Sequence, residues 1–135
     1  MTPTSKRYRK EYAPELLKIA KGDLGSARAL IGAPDSRPEN VCYLTQQSVE
    51  KCLKAVICHL GIEVIHTHNL ESLIQLIPAE HRPSDQKQLE ALTEYATVRR
   101  YEEGFEILTQ EDLERVVALG KQIYLWAETI IKKSK

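Results

Sequence analysis

Two stretches of sequence decide the fold: Gln46-Gln47-Ser48-Val49-Glu50-Lys51-Cys52-Leu53-Lys54-Ala55 and, shortly after it, Thr67-His68-Asn69-Leu70. The first stretch combines helical spacing of apolar residues with an ordered set of polar ones. At about 100° per residue, one broad face of this helix carries only apolar side chains. These are Val49, Cys52, Leu53, Val56, Ile57 and Leu60.

The other side of the same helix carries the polar residues Gln47, Glu50, Lys51 and Lys54. Glu50 and Lys54 are four positions apart in the order that favours a helical ion pair. Spacing alone therefore predicts that this side faces water and holds one modest ion pair.

Length and composition limit the class of protein. The chain has 135 residues, 42% of them apolar and 28% charged, and its formal net charge is zero. This size fits one domain with one core, predicted over residues 12–133. The balanced charge excludes a strongly basic nucleic-acid surface overall. Residues 1–11 are predicted to be a basic, solvated tail, with phosphate contact as the alternative.

The chain is predicted to be cytoplasmic. It has no apolar run of membrane-spanning length, and its start is polar and basic, unlike a signal peptide. Three cysteines, Cys42, Cys52 and Cys58, fall in one predicted helix. Successive cysteines are ten and six residues apart along a rigid helix, which places their sulfurs too far apart to form a disulfide. We therefore expect reduced thiols in the core.

The hydrophobic period predicts helices throughout, four long and one short. The first starts near Pro14, and we expect Gly22 and Gly25 in it to mark a close helix approach. The other predicted helices run from about Glu39 to Leu60, from Thr67-His68-Asn69 to Pro78, from Pro83 through Arg99, and from Thr109 onward. Gly61 suits the end of the second helix, and Thr109 with Asp112 resembles a capping pair. The expected fold is all-α, an up-and-down bundle of four to five helices.

Together, the two opening stretches resemble the signature of the HEPN family. Its members show a Gln-Gln-Ala-x-Glu-Lys-x-Leu-Lys-Ala-like helix followed by Thr-His-Asp/Asn-Leu. Arg100-Tyr101-Glu102-Glu103-Gly104 is similar to a third family element, and the resemblance covers nearly the whole chain. It implies a helical bundle that is usually a homodimer. Many such proteins are RNases, while others bind nucleotides or pair with a small nucleotidyltransferase encoded beside them, often as a toxin–antitoxin pair.

The resemblance also supplies a test for catalysis. RNase members share an Arg followed, after four to six residues, by His, which serves as acid or base while Arg stabilises phosphate charge. Arg99 and Arg100 are the matching arginines here, but no histidine follows His81 in the chain. We therefore predict no catalytic residue at this position.

Phosphate binding without catalysis is the predicted use of the polar residues. Lys and Arg side chains bind phosphate as point charges and forks. The predicted ligand-binding set is Gln47, Lys51, Lys54, His68, Arg99 and Arg100. The alternative is that nearby acidic residues, Glu50, Glu94, Glu102 and Glu103, neutralise it.

His68 has a structural interpretation as well. It either caps the short helix or bonds to a side chain of the second helix. His66 and His68 lack an evident third ligand, so we predict no metal, and no other cofactor is indicated.

Three functions compete. The first is a noncatalytic module that binds a nucleotide or a partner such as a nucleotidyltransferase. The second is an RNA-cleaving HEPN toxin whose active site departs from the family pattern. The third is a structural dimer scaffold. The expected homodimer interface involves Tyr124 and Trp126, or Tyr95 and Tyr101.

Overall fold

The computed structural model describes residues 5–6, 10–84, 86–94 and 108–133. Five α-helices lie within these ranges: α1 (Ala13–Leu30), α2 (Pro38–His59), α3 (Leu70–Leu76), α4 (Gln86–Glu94) and α5 (Gln110–Lys133). Short 3₁₀ turns cover Lys10–Tyr12 and Ala79–His81. The predicted all-α bundle is confirmed. The expected course of the fourth helix through Arg99 lies outside the described residues.

The helix ends follow local chemistry. Pro14 occupies the first turn of α1, where a missing N–H costs nothing. Gly61, with φ at 75°, follows α2 in the left-handed conformation that glycine tolerates best. At the start of α5 the hydroxyl of Thr109 accepts from the Asp112 N–H at 3.1 Å, and the Asp112 carboxylate accepts from the Thr109 N–H at 2.9 Å. The predicted capping pair is therefore confirmed.

A two-residue antiparallel ladder joins β1 (Ser5–Lys6) to β2 (Val64–Ile65), in the register Ser5 to Ile65 and Lys6 to Val64. The sequence pattern gives no sign of this ladder, because two residues are too few to show alternation. The ladder places a part of the basic N-terminal segment next to the loop that leads into α3.

Helix α2 lies at the centre of the bundle, since it packs against α1, α3, α4 and α5. It contributes more buried residues to the larger core cluster than any other helix, and α1, α3, α4 and α5 contribute most of the others. A second cluster joins α1, the start of α2 and the start of α5 through Leu24, Ala27, Val41, Cys42, Leu113 and Val117. The central position leaves α2 with little contact to water.

The cysteines are buried and unbridged, as predicted. Burial raises the pKa of the Cys52 thiol to about 12. The thiol is therefore protonated at physiological pH and has little nucleophilic character.

The predicted close helix approach at Gly22 and Gly25 is wrong, because a Cβ at either position would have no neighbour within 4 Å. The close approach is at Gly120 of α5, where a Cβ would lie 2.8 Å from Thr45 Cγ2 and 2.9 Å from Leu24 Cδ1. Gly120 thus allows α5 to pack directly on α1 and α2.

None of the described helices combines the length and apolar character needed to cross a membrane.

Candidate functional site

Glu50 is the centre of the candidate site. It projects from the middle of α2 and is fully buried, with 0% of its surface exposed. The prediction that Glu50 lies on the wet side of the helix is therefore wrong. The reason is tertiary: α2 has helices on several sides, so its second face is covered as well.

The buried carboxylate has two partners. Lys54 Nζ donates to Glu50 Oε2 at 2.8 Å, which confirms the predicted ion pair. His68 Nδ1 lies 3.0 Å from Glu50 Oε1 and 3.2 Å from Oε2. A buried carboxylate is stable only when such partners offset its lost hydration. The two contacts explain how a charged group is accommodated at the centre of the bundle.

The loop before α3 holds His68 in place. Gln46 Nε2, from α2, donates to the backbone carbonyl of His68 at 3.0 Å. Thr67 Oγ1 accepts from the Asn69 N–H at 3.1 Å, and Asn69 Oδ1 accepts from the Ser72 N–H at 2.9 Å. Asn69, not His68, is thus the cap of α3. Of the two structural roles expected for His68, the bond to an α2 side chain is the one observed.

The side chains of Glu50 and its two partners differ in their exposure to solvent. The side chain of Glu50 is 0% exposed, that of Lys54 is 13% exposed and that of His68 is 72% exposed. When Nδ1 donates to the carboxylate, Nε2 is the ring atom left to face an incoming group. No described residue hydrogen-bonds to Nε2. Glu50 therefore orients the imidazole from the interior of the bundle, while most of the ring remains accessible to solvent.

Two further polar residues of this part of α2, Gln47 and Lys51, are half-buried. Asp23 on α1 lies close enough to interact with Lys51: burial raises the pKa of Asp23, and the Lys51 charge opposes this by lowering it. Sequence spacing alone gives no sign of this interaction between helices.

Four of the six predicted ligand-binding residues lie on or beside this part of α2: Gln47, Lys51, Lys54 and His68. Arg99 and Arg100 lie outside the described residues, as do Glu102 and Glu103. The expected neutralisation by Glu50 does occur at Lys54. We refer to Gln46, Gln47, Glu50, Lys51, Lys54 and His68 as the α2–His68 site.

Sequence reasoning misses two contributors to the site. Gln46 stands in the sequence only as part of the motif, yet it fixes the His68 backbone. Asp23 has no evident acidic partner in the sequence, yet it faces a lysine in the structure. For Gln46 there is a signal, since it precedes Glu50 by one helical turn and shares its side of α2.

Metal binding has no support in the part of the chain that the structure describes, which contains no group of three or more His, Cys, Asp or Glu side chains able to hold an ion. The His66 and His68 rings are tilted, with centroids 6.4 Å apart.

Comparison with known proteins decides the family. The sequence model of the HEPN domain matches residues 13–130, nearly the whole chain. The chain belongs to the HEPN family. The resemblance of its α2 and Thr67-His68-Asn69-Leu70 stretches to the family signature is thereby confirmed.

A solved structure supports the same fold for this HEPN chain. The protein TT1696 from Thermus thermophilus superposes with a TM-score of 0.74 at 23% sequence identity, covering 88% of this chain and 98% of that one. At this identity the similarity concerns the fold alone. A search among curated proteins returned no match.

Proposed function

We propose that this HEPN protein is a noncatalytic module that binds a nucleotide through the phosphate at the α2–His68 site. The observation that carries the proposal is the exposed His68 ring, held at Nδ1 by the buried Glu50. A ring fixed in this way presents Nε2 in one direction, and Lys51 and Lys54 lie on the adjacent turns of α2. In the imidazolium form of the ring Nε2 is a donor, and together with the two lysine ammonium groups it suits a phosphate group.

Neutralisation by Glu50 does not remove the site. The carboxylate is fully buried, whereas the His68 ring is mostly in water. A phosphate reaching the surface would meet the nitrogen donors first and the carboxylate behind them. Glu50 therefore acts in this proposal as an internal support that orients His68 and Lys54.

The noncatalytic assignment rests on the sequence. RNase members of the family need a histidine four to six residues after the arginine, and none follows Arg99 or Arg100. Without that acid–base group we assign Arg99 and Arg100 a binding role only, as further phosphate ligands.

The proposed setting is a cytoplasmic homodimer or a complex with a small nucleotidyltransferase, in the manner of a toxin–antitoxin pair. On α5, Leu125 is 47% exposed and would suit such a contact. Trp126 is half-buried, and its Nε1 donates to the His81 carbonyl at 2.9 Å, while the Tyr124 hydroxyl donates to Glu128 at 3.1 Å. Tyr95 and Tyr101 lie outside the described residues. Sedimentation as a monomer at micromolar concentration would count against the dimer.

Calorimetric titration with AMP, ADP and ATP tests the binding function. We expect measurable affinity that falls about tenfold in His68→Gln and in Lys51→Ala, because the first removes the ring that presents Nε2 and the second removes an ammonium group. His66→Gln is the matched control, since His66 neighbours His68 without bonding to Glu50, and its affinity should equal that of the native protein. No binding heat from any of the three nucleotides would contradict the proposal and favour a structural scaffold.

One observation favours a second candidate, an RNase whose active site departs from the family pattern. A carboxylate that holds Nδ1 of an exposed histidine is also the arrangement of a general base. If His68 replaced the missing histidine, labelled RNA would be cleaved without added metal, and His68→Gln and Arg100→Ala would each abolish cleavage. Intact RNA after prolonged incubation would exclude this candidate.

A further inference from the structure

We propose that two copies of this chain associate through the outward face of α5, with the two helices antiparallel and the two-fold axis at Gln122. This inference rests on the homodimer named in the proposed function and specifies its interface. It has a consequence for the candidate site, because the α2–His68 site of each copy stays open to solvent in such a dimer.

The outward face of α5 is one continuous stripe along the helix. Gly120 faces α1 and α2, and Gln122 lies about 200° around the helix from it. Residues within about 60° of Gln122 on the helix surface recur at every turn. Trp126 is half-buried and the others are exposed; they include Arg115, Ala118, Gln122, Leu125, Trp126 and Thr129.

Leu125 and Trp126 form the apolar centre of this face. Leu125 is 47% exposed, the highest value for a large apolar side chain among the described residues. Trp126 Nε1 donates to the His81 carbonyl at 2.9 Å, so the indole is held in place before a partner arrives. Two shallow grooves between α5 and residues 80–84 share Gln122 and Trp126 as lining residues. A fixed aromatic side chain beside exposed apolar surface is typical of the centre of a protein interface.

The occupant that fits this face is a second copy, because the stripe is complementary to itself when it is reversed. In an antiparallel pair with the axis at Gln122, residues equally far before and after Gln122 lie at the same level. Leu125 and Trp126 of one copy then meet Ala118 and Leu119 of the other. The small side chain of Ala118 leaves room for the exposed leucine.

The charged ends of α5 match in the same arrangement. Glu111 and Lys133 are both exposed, and both lie eleven positions from Gln122, so each Glu111 is level with Lys133 of the other copy. Arg115 is level with Thr129, so the positive charge next to Glu111 does not meet a like charge there. A parallel pair would place identical charges together at both ends. Charge complementarity therefore favours the antiparallel pair.

The face of α5 lies away from the α2–His68 site. On α2, Thr45 faces Gly120, and Cys52, two turns further along, lies near Tyr124 of α5. Glu50 lies about 140° around α2 from Thr45, in the opposite half of that helix. A dimer formed through the far side of α5 therefore leaves the candidate site uncovered in both copies.

Charge exchange at the axis tests the interface, because Gln122 of one copy would meet Gln122 of the other. Gln122→Glu and Gln122→Lys each place two like charges at the axis, and each should weaken association about a hundredfold. An equal mixture of the two variants should associate at least as tightly as the native protein, since opposite charges then meet. Sedimentation velocity of the full chain over a series of micromolar concentrations measures all of these, and circular dichroism checks that each variant is folded.

Ile19→Glu is the matched control for Leu125→Glu. Ile19 is exposed to a similar extent, at 43%, but it lies on α1. Ile19→Glu should sediment as the native dimer, whereas Leu125→Glu should be a monomer at the same concentration. A native protein that is monomeric would overturn the inference and leave this face to a partner of another sequence. A dimer that survives in Leu125→Glu and in both Gln122 variants would also overturn it.

Titration with AMP distinguishes the interface from the function. The monomeric Gln122→Glu variant should bind AMP with native affinity, because the candidate site is open in both states. A tenfold loss of affinity in this variant would contradict the placement of the site away from the interface. Absence of AMP binding in both proteins would overturn the proposed nucleotide binding, while the sedimentation results would still decide the interface.

Discussion

Two Glu–Lys pairs with the same spacing lie in opposite environments in this protein. In α2, Glu50 and Lys54 are 2.8 Å apart, and the Glu50 side chain is 0% exposed. In α5, Glu128 and Lys132 are 3.1 Å apart, and their side chains are 28% and 67% exposed. The sequence pattern of the two pairs is identical, so the difference arises entirely from the neighbours of each helix.

The neighbours explain what each pair does. Helix α5 packs on α1 and α2, and Glu111, Arg115 and Lys132 are exposed on it, as an amphipathic pattern predicts. Helix α2 is covered on several sides, so its polar residues require partners inside the protein. An exposed residue such as Lys132 on α5 is therefore ordinary surface, whereas Glu50 on α2 holds the ring of His68.

The largest expected effect separates these two glutamates. Glu50→Ala should lower the free energy of unfolding by about 3 kcal/mol, since it leaves the mostly buried Lys54 ammonium without its partner and releases His68. Urea denaturation of the purified protein measures this.

The matched control is Glu128→Ala, which removes the same side chain from a pair of the same spacing. Its unfolding midpoint should fall much less than that of Glu50→Ala, because Glu128 and its partners Lys132 and Tyr124 remain accessible to water. Equal losses from the two substitutions would refute the distinction between the two helices.

A second prediction concerns the contact through which α5 packs against α1 and α2. Gly120→Ala should cost about 2 kcal/mol, because the added methyl group would overlap Thr45 Cγ2 and Leu24 Cδ1. Thr45 has little freedom to move, since its hydroxyl donates to the Val41 carbonyl at 2.8 Å. Thermal unfolding followed by circular dichroism measures the loss.

Gly22→Ala is the control for this substitution. Gly22 is exposed inside α1 and has open space where a Cβ would be added. Alanine there should stabilise the protein by up to about 1 kcal/mol through its higher helix propensity. A stabilising Gly120→Ala would show that α5 does not pack closely at this position.

The helices themselves are largely predictable from the sequence, because their signals are local. Pro14 at the start of α1, Gly61 after α2 and the Thr109–Asp112 pair each act within one turn of the chain. The close approach at Gly120 is not predictable, since it depends on Leu24 and Thr45 from distant segments. The position of a glycine in the sequence does not show whether another helix will pack against it.

The sequence predicts which residues belong to the candidate site better than it predicts how they are arranged. The motif resemblance identifies Lys54 and His68, and the helical spacing identifies the Glu50–Lys54 pair. Periodicity places Glu50 in water, because a period reports an apolar face but not the number of helices packed around it. Burial of Glu50, and with it the orientation of His68, is a property of the assembled bundle.

The smallest expected effect tests the burial at the end of α2. Burial and the nearby Lys10 charge lower the pKa of His59 from its ordinary value of 6.5. The unfolded chain then binds the proton more tightly than the folded one, so this contribution to stability is present above pH 6.5 and is lost as the pH falls below it. Denaturation of native protein and His59→Gln between about pH 8 and 5 measures it.

The stability of the native protein relative to His59→Gln should decline across this range as the pH falls. His81→Gln serves as the control, because it removes a histidine from an exposed position in the 3₁₀ turn and changes the unfolded chain in the same way. If the native protein and His59→Gln differed by the same amount at every pH, protonation of His59 would not be coupled to folding. Any change of the stability with pH would then have to come from other groups. The burial that distinguishes the middle of α2 from α5 would have no effect on a titratable group at the end of α2.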